Sequence, residues 1–212
     1  MIIDLPFYEN DADGNRCAQV CGKIVLEHFL GKICSLDELD ELTGRKLGKA
    51  TYTSQLVGGL VDSGLDVRYY SKESLESFLE GEPFIRRHFG KDAEKILKVS
   101  DVPVFVESIR KLLKHDVFEK RKVSINEIEG YIRKGYVPIV VIDYNKITGR
   151  NDLYQGHTVV VSGFDDEYIY FHQSGPTSPT PNEKVKKGVF VEAMDANGTD
   201  NDCVVVFGKK NG

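Results

Sequence analysis

The 212-residue sequence predicts an α+β fold, a helical N-terminal part followed by an antiparallel sheet. Three observations carry this expectation. From Cys17 to Leu30 apolar residues run almost without a break, which describes a buried central helix more than a surface one. Residues 72–134 hold several amphipathic helical periods. Beyond Pro138 the pattern changes to short apolar strands separated by polar turns.

In chain order, residues 3–8 read as a short strand or extended arm, followed by a polar loop from Glu9 to Arg16. Gly14 and Asn15 supply turn chemistry just before Cys17, and Gly31 ends the first helix. Ser35-Leu36-Asp37-Glu38 is a capping box that starts a second helix, with acids in its first turn. A third helix covers about Tyr52 to Ser63 and stops at Gly64, after which Asp66–Tyr70 alternates like a strand. Helices are expected at Glu73–Glu80, Asp92–Lys98, Val102–Lys114 and Ile125–Lys134. Residues 73–134 carry 13 basic and 12 acidic side chains, so no single-signed surface results. Their plain reading is a solvated helical face, and the functional one is a cap over a substrate cleft. Pro138–Asp143, His157–Phe164 and Tyr168–Gln173 read as strands, with Asp165-Asp166-Glu167 as a hairpin turn. Ser174 to Asn182 is a loop rich in Pro and Ser. Lys184–Ala193 is a short strand or helix, and Cys203–Phe207 a closing strand.

Composition narrows the function. The net charge of −5 and pI near 5.6 argue against binding nucleic acid or an anionic membrane, which need excess Lys and Arg. No apolar run approaches the roughly 18 residues of a membrane span. The start Met1-Ile2-Ile3-Asp4-Leu5-Pro6 lacks the features of a signal peptide, so a cytoplasmic protein is expected. Four cysteines, Cys17, Cys21, Cys34 and Cys203, do not resemble a disulfide framework, and without a C-x-x-C pair no structural zinc is expected. No metal or cofactor is implied.

The chemistry rests on two distant segments, Cys17-Ala18-Gln19-Val20-Cys21 and Gly156-His157-Thr158-Val159. Cys17 starts an apolar helix, where unfilled N–H groups and the helix dipole favour a thiolate. Cys21, one turn deeper, reads as a small buried apolar residue. His157 starts an apolar strand, and a thiol with an imidazole brought to it by the fold is a nucleophile and its base. Strand parity adds a third residue. With a three-residue turn, paired positions share parity, so His157 and Gln173 lie on one face, opposite or diagonal to each other. Gln173 can then hold one ring nitrogen and leave the other for the thiol. By the same parity His172 points away and reads as a surface residue.

Leu5-Pro6-Phe7-Tyr8 with Asn10, Cys17 opening its helix, Leu26–Lys32, Ser35–Leu39 and Gly156–Asp166 together resemble the papain-like cysteine peptidases that process bacteriocin leader peptides, and their stand-alone relatives. The resemblance covers roughly residues 5–70 and 135–175. It implies a papain-like cysteine proteinase fold, with the nucleophile at a central helix start packed on a C-terminal antiparallel sheet. The whole chain, 1–212, would be one such domain with a helical elaboration at about 72–134.

The resemblance further implies Cys17 as nucleophile, His157 as general base and an amide side chain ahead of the nucleophile that binds the oxyanion. Asn10 fits that place, whereas the neighbouring Asp11 would repel an oxyanion. Gln173 stands where the family usually carries an acid, Asn10 is shorter than the usual Gln, and Gln19 replaces a common Pro. The expected activity is cleavage of a peptide or related amide through an acyl-enzyme on Cys17. The alternatives are transfer of the acyl group to another amine, or a catalytically degenerate domain that only binds peptides.

Overall fold

The structure is a computed structural model that describes residues 1–11, 14–150, 152, 154–175 and 177–210. Residues 12 and 13 of the expected polar loop, and 176 of the Pro- and Ser-rich loop, lie outside the described residues.

Helix α1 (Cys17–Leu30) is buried along most of its length, through Val20, Ile24, Val25 and Leu26. It ends on Gly31 at φ 64°, a left-handed conformation that costs glycine little, and the Gly31 N–H closes on the Glu27 and Leu26 carbonyls. Helix α2 (Leu36–Thr43) opens on the expected capping box, with Ser35 and Glu38 satisfying each other's backbone N–H groups. Helix α3 (Thr53–Asp62) leads into β1 (Leu65–Ser71), as the alternation from Asp66 predicts.

The next region holds α4 (Leu75–Phe78), α5 (Glu82–Phe89), α6 (Ala93–Val99), α7 (Val102–Leu112), strand β2 (Phe118–Lys120) and α8 (Ile125–Arg133). Helix α4 is shorter than expected; α5 and β2 were not legible in the pattern. Strand β3 (Val137–Asp143) is followed by a one-turn helix, α9 (Tyr144–Thr148), and by strands β4 (Gly156–Phe164) and β5 (Tyr168–Gln173). The segment expected as strand or helix is both: β6 (Thr180–Lys186) runs directly into α10 (Lys187–Met194). Strand β7 (Cys203–Lys209) closes the series.

Among the described residues the seven strands form one sheet in the order β2-β1-β7-β3-β4-β5-β6. The sheet therefore reaches into the helical half: β1 pairs with β7 antiparallel and with β2 in parallel. Alternation along the strands gives the sheet two buried faces. Val137, Ile139, Val160, Val204 and Val206 join the core built with α1, α3 and α7. Val140, Ile142, Val159, Val161, Cys203 and Val205 join a second core with α8 and α10.

The N-terminal arm is extended, bridging Ile2 to Gly163 and donating from the Ile3 N–H to the Ser162 carbonyl at 2.7 Å. A side chain at 163 would put its Cβ 2.4 Å from the Met1 carbonyl oxygen, so only glycine admits the arm there.

The β4–β5 hairpin departs from its expected turn and arrives at the expected geometry. The chain reverses over two residues, closed by the Asp165 N–H on the Tyr168 carbonyl at 3.0 Å. That turn pairs Phe164 with Ile169, unlike parities. A bulge between Val161 and Gly163 then shifts the register, and beyond it Val161 pairs Phe171 and Val160 pairs His172. One extra residue thus restores like parity, placing His157 diagonal to Gln173. The expectation for His172 is corrected: it is 3% exposed, packed edge-on against Phe7, and its Nδ1 accepts from the Asn182 N–H at 3.1 Å. The N-terminal arm and β6 cover the side of the sheet that parity alone leaves open.

Candidate active site

Helix α1 starts at Cys17 because Gly14 (φ 70°) turns the chain and Arg16 stands at the N-cap. Arg16 caps nothing with its side chain; instead its guanidinium binds Asp11 at 2.5 Å, Asp37 at 2.7 Å and Asp40 at 2.6 Å. Arg45 shares Asp40 at 2.8 Å. This network ties the segment before Cys17 to α2 and fixes where the helix begins.

The fold brings Cys17, His157 and Gln173 together. The His157 ring lies close enough to the Cys17 thiol for the two to shift each other's titration, and its Nε2 lies 2.7 Å from Gln173 Oε1. The Gly175 N–H donates to the same Oε1 at 3.1 Å, which turns the amide oxygen toward the ring. An acceptor at Nε2 makes that nitrogen the N–H donor and leaves Nδ1 for the thiol. Tyr144, one residue past β3, packs edge-on with its ring centroid 5.4 Å from that of His157.

The electrostatics match the geometry. Burial alone would push the Cys17 thiol up, but the His157 ring and the Thr158 backbone outweigh it and bring it down to about 7. Burial disfavours charge on His157, yet contact with Cys17, Gln173 and the field of Glu183 leaves its value raised. Glu183 sits on β6 opposite Phe171, the β5 residue sharing Gln173's face, and is half-buried. Cys21 behaves as expected of an inert thiol: burial and its neighbour Cys17 hold it well above the ordinary range, and it donates to the Thr158 carbonyl at 3.4 Å.

Asn10 is held by its backbone N–H on the Ser174 carbonyl at 2.6 Å, and its Oδ1 accepts from the Asp11 N–H at 3.0 Å. Its Nδ2 is buried with no hydrogen-bond acceptor among the described residues. Asn10 is not among the described residues that line the cavity beside Cys17, whereas Gly14 and Asn15 are.

That cavity, about 330 Å³, is lined by Cys17, His157 and Gln173 together with aromatic residues of the 72–134 region, among them Phe78, Phe84 and Phe105. Asp200 and Asp202, just ahead of β7, line it as well. Sequence reasoning passed over this pair, although two acids immediately before an apolar strand were a visible anomaly. Tyr144, Glu183 and Arg16 were also missed, since each reaches the site by a long-range contact without motif spacing. Among the described residues, Glu73, His88 and Asp200 hold ligand atoms within 4.8 Å of one another. The Lys72 ammonium, 3.6 Å from Asp200 Oδ1, stands beside these three groups as a competing positive charge. No helix among the described residues is long and apolar enough to cross a membrane.

Known structures share this fold. A double-glycine-motif protease from an AMS/PCAT transporter, solved with its leader peptide, is 14% identical, covers 97% of this chain and 93% of its own, and has a TM-score of 0.50. The peptidase domain of Streptococcus ComA, a bifunctional ABC transporter, is 14% identical over 98% of both chains, with a TM-score of 0.54. A chain described as a C39-like peptidase, from Bacillus anthracis, is 12% identical over 99% of this chain and 98% of its own, with a TM-score of 0.55. The fold is thus papain-like, of the double-glycine peptidase type, and the likeness includes the 72–134 region and the C-terminal strands that the sequence resemblance did not cover.

In sequence, the chain is 27% identical over 104 residues to Guanylyl cyclase 1 of Arabidopsis thaliana, a stretch that is 42% of this chain and 38% of that relative. The chain thus spans about two fifths of the length of that curated relative. A family model described as guanylylate cyclase matches residues 12–206, nearly the whole chain. By that match the chain belongs to the guanylylate cyclase family, and it carries that family's sequence on a papain-like peptidase fold.

Proposed function

We propose that this chain is a thiol hydrolase that cleaves a peptide or related amide bond. The observation that supports it most directly is the Cys17–His157–Gln173 arrangement lining one cavity, with the Cys17 thiol brought down to about 7.

The thiolate attacks the carbonyl carbon, a C–S bond forms and the carbonyl electron pair moves onto oxygen. The Cys17 backbone N–H, unfilled at the helix start, stabilises that oxyanion, and Asn10 Nδ2, which the resemblance assigns to the same task, joins it only if the Asn10 side chain turns toward the cavity. The tetrahedral intermediate collapses as His157 Nδ1 gives its proton to the leaving amine. His157 then removes a proton from water, which attacks the acyl-enzyme and frees the acid and the thiol. The helices of 72–134 act as the cap that shapes the substrate side of the cavity, as an elaboration of a single papain-like domain.

Gln173 keeps the ring oriented without a formal charge. Gln173→Ala is expected to lower kcat/KM about 10–100-fold, the usual cost of losing a residue that orients a reacting group. Gln173→Glu should raise the His157 value further and move the onset of Cys17 alkylation to lower pH. An unchanged rate in Gln173→Ala would remove Gln173 from the site.

A second reading follows from the family's description and the Arabidopsis relative's name: cyclisation of GTP. That reaction needs attack of the ribose 3′-hydroxyl on the α-phosphorus with loss of pyrophosphate, and has no step for a thiol. One experiment separates the two. With p-nitrophenyl acetate, the wild type should release a burst of nitrophenol and gain one acetyl group on Cys17, read by intact mass and peptide mapping, and Cys17→Ala should do neither. Formation of cyclic GMP from GTP at the same rate in wild type and Cys17→Ala, with no acetyl-enzyme, would favour the cyclase reading.

A further inference from the structure

The cavity that holds Cys17 has a second chemical pole. Its wall is aromatic, from Phe78, Phe84, Phe105, Tyr69 and Tyr154, and it is also lined by Asp202. Asp202 is 9% exposed, and its Oδ2 accepts from Tyr69 Oη at 2.9 Å. Its Oδ1 is buried with no partner in hydrogen-bond geometry among the described residues. The lysines nearby face other groups: Lys72 Nζ lies 3.6 Å from Asp200 Oδ1, and Lys95 Nζ donates to the Tyr154 carbonyl at 2.7 Å. None of the described cations forms an ion pair with Asp202. A buried carboxylate lacking a counter-charge is costly, and natural sites of this kind are completed by a cation or a strong donor. Aromatic faces around an acid are the surroundings in which ammonium and guanidinium groups bind well.

We infer that the part of this cavity lined by Asp202 is a substrate subsite for a cationic group, so that the amide cleaved at Cys17 carries an ammonium or guanidinium close to the scissile bond. The inference rests on the thiol-enzyme reading above and adds the substrate class. Asp202 Oδ1 receives the cation's N–H groups, the aromatic wall takes its alkyl stem and positive face, and Tyr69 holds the carboxylate in place through Oδ2. The neighbouring Asp200, with the Lys72 ammonium 3.6 Å away, adds negative field without competing for the same hydrogen bonds. Burial and the Asp200 charge push the Asp202 carboxyl up to about 7, against the hydroxyls of Thr53, Ser71 and Tyr69. A bound cation would reverse that shift and hold Asp202 ionised.

The test uses the intact chain and a homologous series of N-alkyl chloroacetamides that end in ammonium, guanidinium, methyl or carboxylate. The Cys17 thiolate displaces chloride, and the second-order rate of labelling at Cys17 is measured for each end group and chain length. The inference predicts that one chain length of a cationic probe outruns its methyl-ended analogue by about 10-fold or more. The carboxylate-ended probe should be the slowest. The ammonium and guanidinium arms then distinguish lysine-like from arginine-like substrates. In Asp202→Asn the cationic preference should fall to near one. The wild-type ratio is decisive even if that variant fails to fold: cationic and neutral probes reacting equally at every length overturn the subsite. Fast but equal labelling overturns the subsite alone, whereas labelling by all probes at a free-thiol rate overturns the thiol-enzyme reading with it. A preference that survives in folded Asp202→Asn also overturns the assignment.

Discussion

Cys17→Ala and His157→Ala should each lower acyl turnover by about 10³-fold or more, and the double variant should lose no more than the worse single one. The reason lies in how the two groups depend on each other. The His157 ring is the largest influence that brings the thiol down to about 7 against its burial, and the thiol is the largest that raises His157 against its own. Removing either leaves the other with its ordinary chemistry, so the losses overlap instead of adding. The same coupling sets the pH dependence. Turnover should rise as pH passes about 7, where the thiolate forms, and fall at higher pH as the imidazolium gives up its proton. Initial rates on a fluorogenic peptide panel, with each variant's melting curve as a control for folding, measure these effects. Additive losses would mean that the two residues work independently.

Phe171→Ala should destabilise the protein by about 3–5 kcal/mol, the usual cost of emptying an aromatic site in a packed core. For a chain of this size that is a fall in Tm of roughly 6–20 °C. Phe171 is fully buried in the second core, its ring 5.9 Å from Phe190 of α10. It also stands two residues before Gln173 on the same face of β5, so its loss should loosen the contact with His157 and slow turnover beyond what the stability change explains. Calorimetry of the purified variant measures the first effect. A shift below about 2 °C would mean that α10 does not pack on the sheet as described.

Much of this architecture was legible because local chemistry and the global fold agree. The Ser35 capping box, the glycine that stops α1 and the uninterrupted apolar run behind Cys17 each specify an element without help from the rest of the chain. The His157–Gln173 contact was legible for a subtler reason. Parity beyond the Ser162 bulge does not depend on whether the extra residue sits in the turn or in the strand, so the expected face was right although the expected turn was not.

What stayed hidden was set by long-range contacts. Strand β2 has three residues and exists only as a parallel partner of β1. Helix α5 lies between Gly81 (φ 66°) and Gly90 (φ 52°), with Pro83 at its start and Arg86, Arg87 and His88 at its end, too short and charged to show a strong apolar period. His172 is buried by the N-terminal arm and β6, neither of which its own strand could reveal. The Asp200–Asp202 pole of the cavity belongs to the turn before β7, nearly 200 residues from the thiol in sequence.

The thiol–imidazole pair can be read most directly in the pH dependence of iodoacetamide alkylation at Cys17, followed by mass spectrometry alongside added glutathione as a reference thiol. A midpoint near 7 for Cys17, returning toward the ordinary thiol range of about 8.5 in His157→Ala, is the expected result. Alkylation of Cys17 with the profile of an ordinary thiol, unchanged by His157→Ala, would show that the two side chains do not form a working pair.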